Sequence, residues 1–210
     1  MDSFTLLIFQ LAILLMSVVI HEVSHGIVAL WQGDQTAKFM GRLTLNPLKH
    51  LDMWGSFLVP LMLIILPGSI IFGWAKPVPY NPYNLRNAKW GPAIVGAAGP
   101  ASNFLIALAF GLSLRFLLVA SDMPVLQNLI QLFSIIVFLN LLLAVFNLVP
   151  IPPLDGSKIL FSLLPPHMSH IQAFLERYGF MFLLFFIFFA FGTIFPIITF
   201  LFSLITGARI

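Results

Sequence analysis

Cysteine is absent from the 210 residues, which removes disulfide frameworks and thiolate chemistry together. Charge is nearly as scarce. Lys and Arg number 10 and Asp and Glu 7, together 8% of the chain, against roughly 25% in an ordinary soluble domain. So few charges cannot solvate a soluble surface. A soluble enzyme and a disordered chain are therefore excluded. A nucleic-acid binder is excluded as well, because the basic residues behind the net charge of +3 are scattered singly. The opening Met1-Asp2-Ser3 lacks the basic n-region of a signal peptide, so the first apolar stretch is expected to be retained. What is present is apolar: 60% hydrophobic residues, with 23 Phe among them. This chain has lipid as its solvent. In hydrocarbon every ionisable side chain is costly, so each one is a candidate for function.

The hydropathy pattern predicts an all-α polytopic membrane protein, a single domain over 1–210. Four full transmembrane helices are expected at about 3–30, 93–120, 125–149 and 180–202. The last should be kinked at Pro196. Residues 157–164 read as a short helix stopped by Pro165-Pro166, and the polar run 167–178 as interfacial. Two stretches read as extended. One is the β-prone piece 39–45, closed by Asn46-Pro47; the other is 72–79, held open by its prolines. Together they are the expected small β-like segment near the active site.

Segment 56–73 is apolar but broken by Pro60, Pro67 and Gly68. If it crossed the membrane once, later spans would be inverted. If it is re-entrant, Lys38, Arg42, Lys49, Lys76, Arg86, Lys89, Lys158 and Arg177 share one side, with Asp2 and Asp122 opposite. The positive-inside rule favours the re-entrant element, with the N-terminus outside.

His21 and His25 stand at i and i+4, so a helix projects both imidazoles from one face. That spacing suits two ligands of one metal, and Glu22 is placed to take a proton from water there. A catalytic zinc wants three protein ligands and one open position. Asp2 and Asp122 lie at the far face, Asp34 and Asp52 in a polar loop, and Glu176 beside Arg177. Asp155 is left, in the apolar setting of Leu154 and Gly156. The re-entrant topology brings it to the same depth as His21. His50 is the rival third ligand, although Lys49 and Asp52 give it the look of a loop histidine.

His-Glu-x-x-His at 21–25, with Asn147-x-x-Pro150-x-Pro152-x-Leu154-Asp155-Gly156 downstream, resembles the site-2 protease family of intramembrane zinc metalloproteases. Gly99-Pro100-x-Ser102-Asn103 and Phe72-Gly73-Trp74-Ala75-Lys76-Pro77-Val78-Pro79 look like its small bacterial branch. The resemblance covers about 21–160 and two separated motifs. It implies that His21, His25 and Asp155 bind one zinc per chain and that Glu22 is the catalytic base. It implies a transmembrane protein as substrate, cleaved within or near its spans. It also implies a multi-pass location in a bacterial inner membrane, with the active site toward the cytoplasm. Many bacterial relatives carry a PDZ domain between spans. That needs about 80–90 residues, and no loop here is long enough.

Asn147 is a candidate donor to the oxyanion or to substrate backbone, with an interhelical clamp as the equal alternative. Asn103 and Asn140 are weaker candidates of the same kind. The extended stretches could hold an unwound substrate by strand addition. A metal transporter and a binding-only homologue are the competing functions. The first lacks a facing second acid and an inverted repeat. The intact Glu22 argues against the second.

Overall fold

The computed structural model describes residues 3–59, 61–62, 73–119 and 124–208. The α-helices with described bounds are α1 (Ser3–Trp31), α2 (Thr36–Phe39), α3 (Gly91–Val119), α4 (Pro124–Asn147), α5 (Asp155–Leu163), α6 (Ser169–Phe185) and α7 (Phe195–Thr206). Four helical stretches are long and apolar enough to cross a membrane: Phe4–Trp31, Gly91–Leu118, Leu126–Asn147 and Ser169–Thr206. With 29 residues, α1 rises about 44 Å at 1.5 Å per residue, against about 30 Å of hydrocarbon. Its His-Glu-x-x-His segment begins about two-thirds of the way along that length.

The first three of these helices lie within a few residues of the bounds expected for spans. The fourth does not. Its helix begins at Ser169 rather than at 180, because the polar run 167–178 is itself helical from Ser169 onward. Gln172 Nε2 donates to Glu176 Oε1 at 2.9 Å, an i,i+4 pair that supports an exposed helix. The expected kink at Pro196 is a wider break. A π-helical turn at Phe186–Ala190 and a 3₁₀ turn at Phe191–Ile194 precede α7, whose first turn holds Pro196. Proline has no N–H to give and its ring crowds the carbonyl four residues back, so the preceding turns are rewound.

No β-strand occurs among the described residues. The expectation for 39–45 is corrected: Phe39 closes α2, and Gly41 has φ +62°. A left-handed residue turns the chain, which the β-prone composition around it cannot override. Residues 73–81 form neither helix nor turn, but their main-chain groups are engaged within the chain. Trp74 N donates to Gly55 O at 3.1 Å and Lys76 N to His50 O at 2.8 Å. Arg42 Nη2 donates to Lys76 O at 2.8 Å and to Pro77 O at 3.3 Å. Pro77 and Pro79 have no N–H to offer.

Of the segment expected to be re-entrant, residues 60 and 63–72 lie outside the described residues, as do Asp2 and Asp122. A single π-helical turn, Met53–Leu58, opens it. Its two flanks meet. Besides the Trp74–Gly55 bond, Ser56 Oγ donates to Trp74 O at 3.0 Å.

Buried Ala107 and Leu114 of α3, Val137 and Leu141 of α4, Ile194, and Ile198, Phe202 and Ile205 of α7 form the main apolar cluster. The polar residues collect at the other end of α3, against α1 and α5.

Candidate metal centre

The site is assembled by two matching stripes. Ser17, His21 and His25 recur every four residues on α1; Val95, Gly99 and Asn103 do so on α3. Each set therefore lies on one helix face. The contacts run in opposite directions along the two helices. Asn103 meets Ser17 and His21, and Val95 meets His25. Between them is Gly99, where a Cβ would stand 2.5 Å from Nε2 of both histidines. Only glycine lets α3 approach the imidazoles this closely.

The hydrogen-bond partners settle the tautomers. His25 Nδ1 donates to Val95 O at 2.6 Å, and a carbonyl can only accept. His21 Nδ1 lies 2.5 Å from Asn103 Oδ1. The orientation of that amide follows from main-chain carbonyls. Asn140 Nδ2 donates to Ile136 O at 2.8 Å, and also to Ser17 Oγ at 3.0 Å. Asn140 Oδ1 then accepts from Asn103 Nδ2 at 2.9 Å, and the same Nδ2 donates to Ser17 O at 3.3 Å. Asn103 Oδ1 is left to accept from His21. Both histidines thus donate from Nδ1 and, when neutral, turn an Nε2 lone pair inward.

Those lone pairs face a carboxylate. Asp155, the first residue of α5, places Oδ2 3.0 Å from His21 Nε2 and 3.1 Å from His25 Nε2. All three residues are buried. Ligand atoms of the three lie within 4.8 Å of one another, and no other such group of three occurs among the described residues. Three converging lone pairs in a buried place repel unless a cation stands among them. Two neutral imidazoles and one carboxylate, each held from behind, are a donor set that suits zinc with one position left open. The residues present fit the metal.

Lys158 Nζ donates to Asp155 Oδ1 at 2.8 Å. Burial pushes the Asp155 carboxyl up, and the Lys158 ammonium beside it acts the other way. Burial likewise pulls the Lys158 ammonium down, and Asp155, Tyr80 and Glu22 outweigh that, so it stays charged.

A cavity of about 120 Å³ opens on these groups, lined by His21, Glu22, His25, Pro77, Val78, Tyr80, Asn147, Pro153, Asp155 and Lys158. Glu22 Oε2 accepts from Val78 N at 2.7 Å. Val78 is the one residue of 77–79 with an N–H, since Pro77 and Pro79 flank it, and that N–H is committed to Glu22. The polar loop expected to carry Asp34 is tied to the same region. Asp34, fully buried, accepts from Thr36 Oγ1 at 2.6 Å, Asn84 Nδ2 at 2.9 Å and Asn81 N at 2.7 Å. Burial pushes this carboxyl up; the donors outweigh it and hold it below its ordinary value.

The structure therefore brings His21, Glu22, His25 and Asp155 together, and Asn147 with them. Asn147 lines the cavity and gives one N–H to Leu143 O at 2.9 Å. Asn103 and Asn140 do not line it; both are fully buried behind His21. His50, the rival ligand, is buried elsewhere, with Nε2 on Thr44 O at 2.9 Å. Sequence reasoning missed Lys158, Tyr80, Gly99 and the amide of Val78. The Gly99–Asn103 spacing was the available signal, since i and i+4 put a close approach and an amide on one face.

Comparison with known proteins finds a family and relatives for this chain. The profile described as "Peptidase family M50" matches residues 9–129 and 116–186. A protein of Bacillus subtilis named "Putative zinc metalloprotease YwhC" is 43% identical over 171 residues, which is 80% of this chain and 74% of the relative. Proteins named "Putative zinc metalloprotease Rip2" are 33% identical over 168 residues in Mycolicibacterium smegmatis and 31% over 170 in Mycobacterium tuberculosis. This chain spans 61% and 62% of the length of those two. No solved structure matches it. With a family profile over most of its length and a relative at 43% identity, the chain belongs to peptidase family M50, the site-2 proteases, as a multi-pass zinc metalloprotease.

Proposed function

We propose that this chain hydrolyses peptide bonds within or next to the transmembrane segments of membrane-protein substrates. The observation that carries the proposal is the convergence of His21, His25 and Asp155 oxygen and nitrogen atoms at 3.0–3.1 Å on the wall of a cavity that also holds Glu22. In this reading His21, His25 and Asp155 hold one zinc per chain. A zinc bound there supplies Lewis-acid polarisation of a peptide carbonyl and makes water more acidic near neutral pH. Glu22 accepts the proton of the attacking water and returns it to the leaving amine. The Val78 amide fixes Oε2 of Glu22 and leaves Oε1 for that exchange. Asn147 has a second N–H to offer to the carbonyl oxygen or to substrate backbone. Asn103 and Asn140 act from behind, by holding the His21 ring.

The membrane topology belongs to the same proposal. The hydrogen bonds joining Gly55 and Ser56 to Trp74 bring the flanks of 56–73 together, which supports the re-entrant reading, because a chain that crossed once would part its flanks by the membrane's thickness. That course leaves the eight basic residues on one side. Cytoplasmic placement of the active site, in a bacterial inner membrane, follows from the charge rule. A substrate helix must unwind to be cut. Residues 74–79 offer it few donors, since Trp74, Lys76 and Val78 spend theirs within the chain, so carbonyl acceptors or side chains hold the unwound stretch.

The test compares membrane peptides by mass spectrometry in cells carrying the wild type or Glu22→Gln. Fragments cut within or beside spans should be present with the wild type and absent with the variant. Identical fragment sets would count against the proposal.

A further inference from the structure

We infer that Lys158 is a positioning residue of the metal centre: its ammonium holds Oδ1 of Asp155, so that Oδ2 alone is presented to the two imidazoles. The inference rests on the metal-centre reading above. It begins from the local helix. Asp155 and Lys158 are i and i+3 on α5, hence on one face. Nothing in that spacing makes the pair more than a surface ion pair, which is worth little. The surroundings do. Asp155 is 5% exposed, and the Lys158 stem lies along α3 at Gly96. A Cβ on Gly96 would stand 3.0 Å from Lys158 Cβ and 3.1 Å from its Cδ. The absent side chain at 96 is what admits the lysine stem between the helices. The ammonium then lies 2.8 Å from Asp155 Oδ1 and 5.5 Å from the centroid of the Tyr80 ring. A cation held over an aromatic face and against a carboxylate has little freedom to leave.

The two oxygens of Asp155 thus have separate partners. Oδ1 is fixed by Lys158, and Oδ2 lies 3.0 and 3.1 Å from the histidine nitrogens. Without the ammonium both oxygens are free to turn toward the same place, and the carboxylate can rotate about its own axis. Groups that orient ligands in this way govern metal affinity. A purely electrostatic role predicts the opposite sign, because a lysine near a dication repels it.

The experiment uses the full chain purified in detergent, with cobalt(II) alone as probe and zinc in a chelator competition. Wild type and Lys158→Arg should share one visible cobalt spectrum. Lys158→Met should show an altered spectrum and about 10–100-fold weaker zinc binding. An unchanged spectrum with equal or tighter binding in Lys158→Met would overturn the inference and leave the metal centre standing. Lys158→Gln, which keeps a polar terminus without the ammonium, carries the same expectations where the Met variant does not fold. A wild type that takes up neither metal would overturn both this inference and the metal-centre reading.

Discussion

Helix α3 runs through two regions that are held together by different physics. At its start, Val95 and Asn103 meet Ser17, His21 and His25 of α1 through hydrogen bonds, with Gly99 between them. Further on, Ala107 and Leu114 meet Val137 and Leu141 of α4 and Ile198, Phe202 and Ile205 of α7 through apolar contact alone. In water the second region would be the stronger. In lipid it gains no hydrophobic energy, because the surrounding chains are as apolar as leucine; shape fit is what remains. Gly111 shows that fit: a Cβ there would stand 2.5 Å from Ile205 Cγ2. Near the site, buried polar groups that lost their partners would be unsatisfied in hydrocarbon, so that region is specified by hydrogen bonding. One end of the bundle sets geometry for chemistry, and the other sets helix-to-helix fit.

The comparison breaks most sharply at Gly99. Gly99→Val drives a side chain into both Nε2 atoms, so zinc content of the purified protein should fall close to zero, while its helical circular dichroism is retained. A Val variant that still holds zinc would show that α3 does not form the back wall of the centre. Leu114→Ala in the far region should do the reverse. It should lower stability by about 2 kcal/mol through lost packing and leave zinc content unchanged. Denaturation in mixed micelles with zinc analysis of the folded fraction measures both.

A smaller effect is expected at Asp34, which lies in neither region but ties the loop after α1 to residues 81–84. Its folded carboxyl titrates below its ordinary value. The stabilisation it gives is therefore full above that ordinary value and is lost as pH falls through the folded one. Asp34→Asn should lower stability at pH 7 by about 1 kcal/mol, and the gap should close in acid. A gap that widens on acidification would reverse the assigned direction.

Much of the first region was legible in the sequence for a local reason. His21, Glu22 and His25 declare themselves by helical spacing, which needs no knowledge of other helices. Asp155 was legible through scarcity, because few acids compete for its role in a chain this apolar. The pairing of α1 with α3 was not legible. Helices hydrophobic all round have no polar face to reveal their register, so Asn103 read as a candidate toward substrate rather than as the partner of His21. Lys158 was passed over because a lysine one turn into a short helix reads as solvated; only Gly96, far off in sequence, reveals that its stem is packed. The fourth span was misjudged at its start for the converse reason. The polar run 167–178 read as interfacial and apart from the span, yet an exposed helix from Ser169 onward satisfies its own backbone and needs no apolar face.

The central claim is that two residues of α1 and the first residue of α5 share one metal. Elemental analysis of the purified wild type, Asp155→Ala and Glu22→Gln tests it most directly. The account predicts about one zinc per chain in the wild type and in Glu22→Gln, and essentially none in Asp155→Ala. Full zinc in Asp155→Ala would contradict it, and would move the third ligand away from the residue on which the site is built.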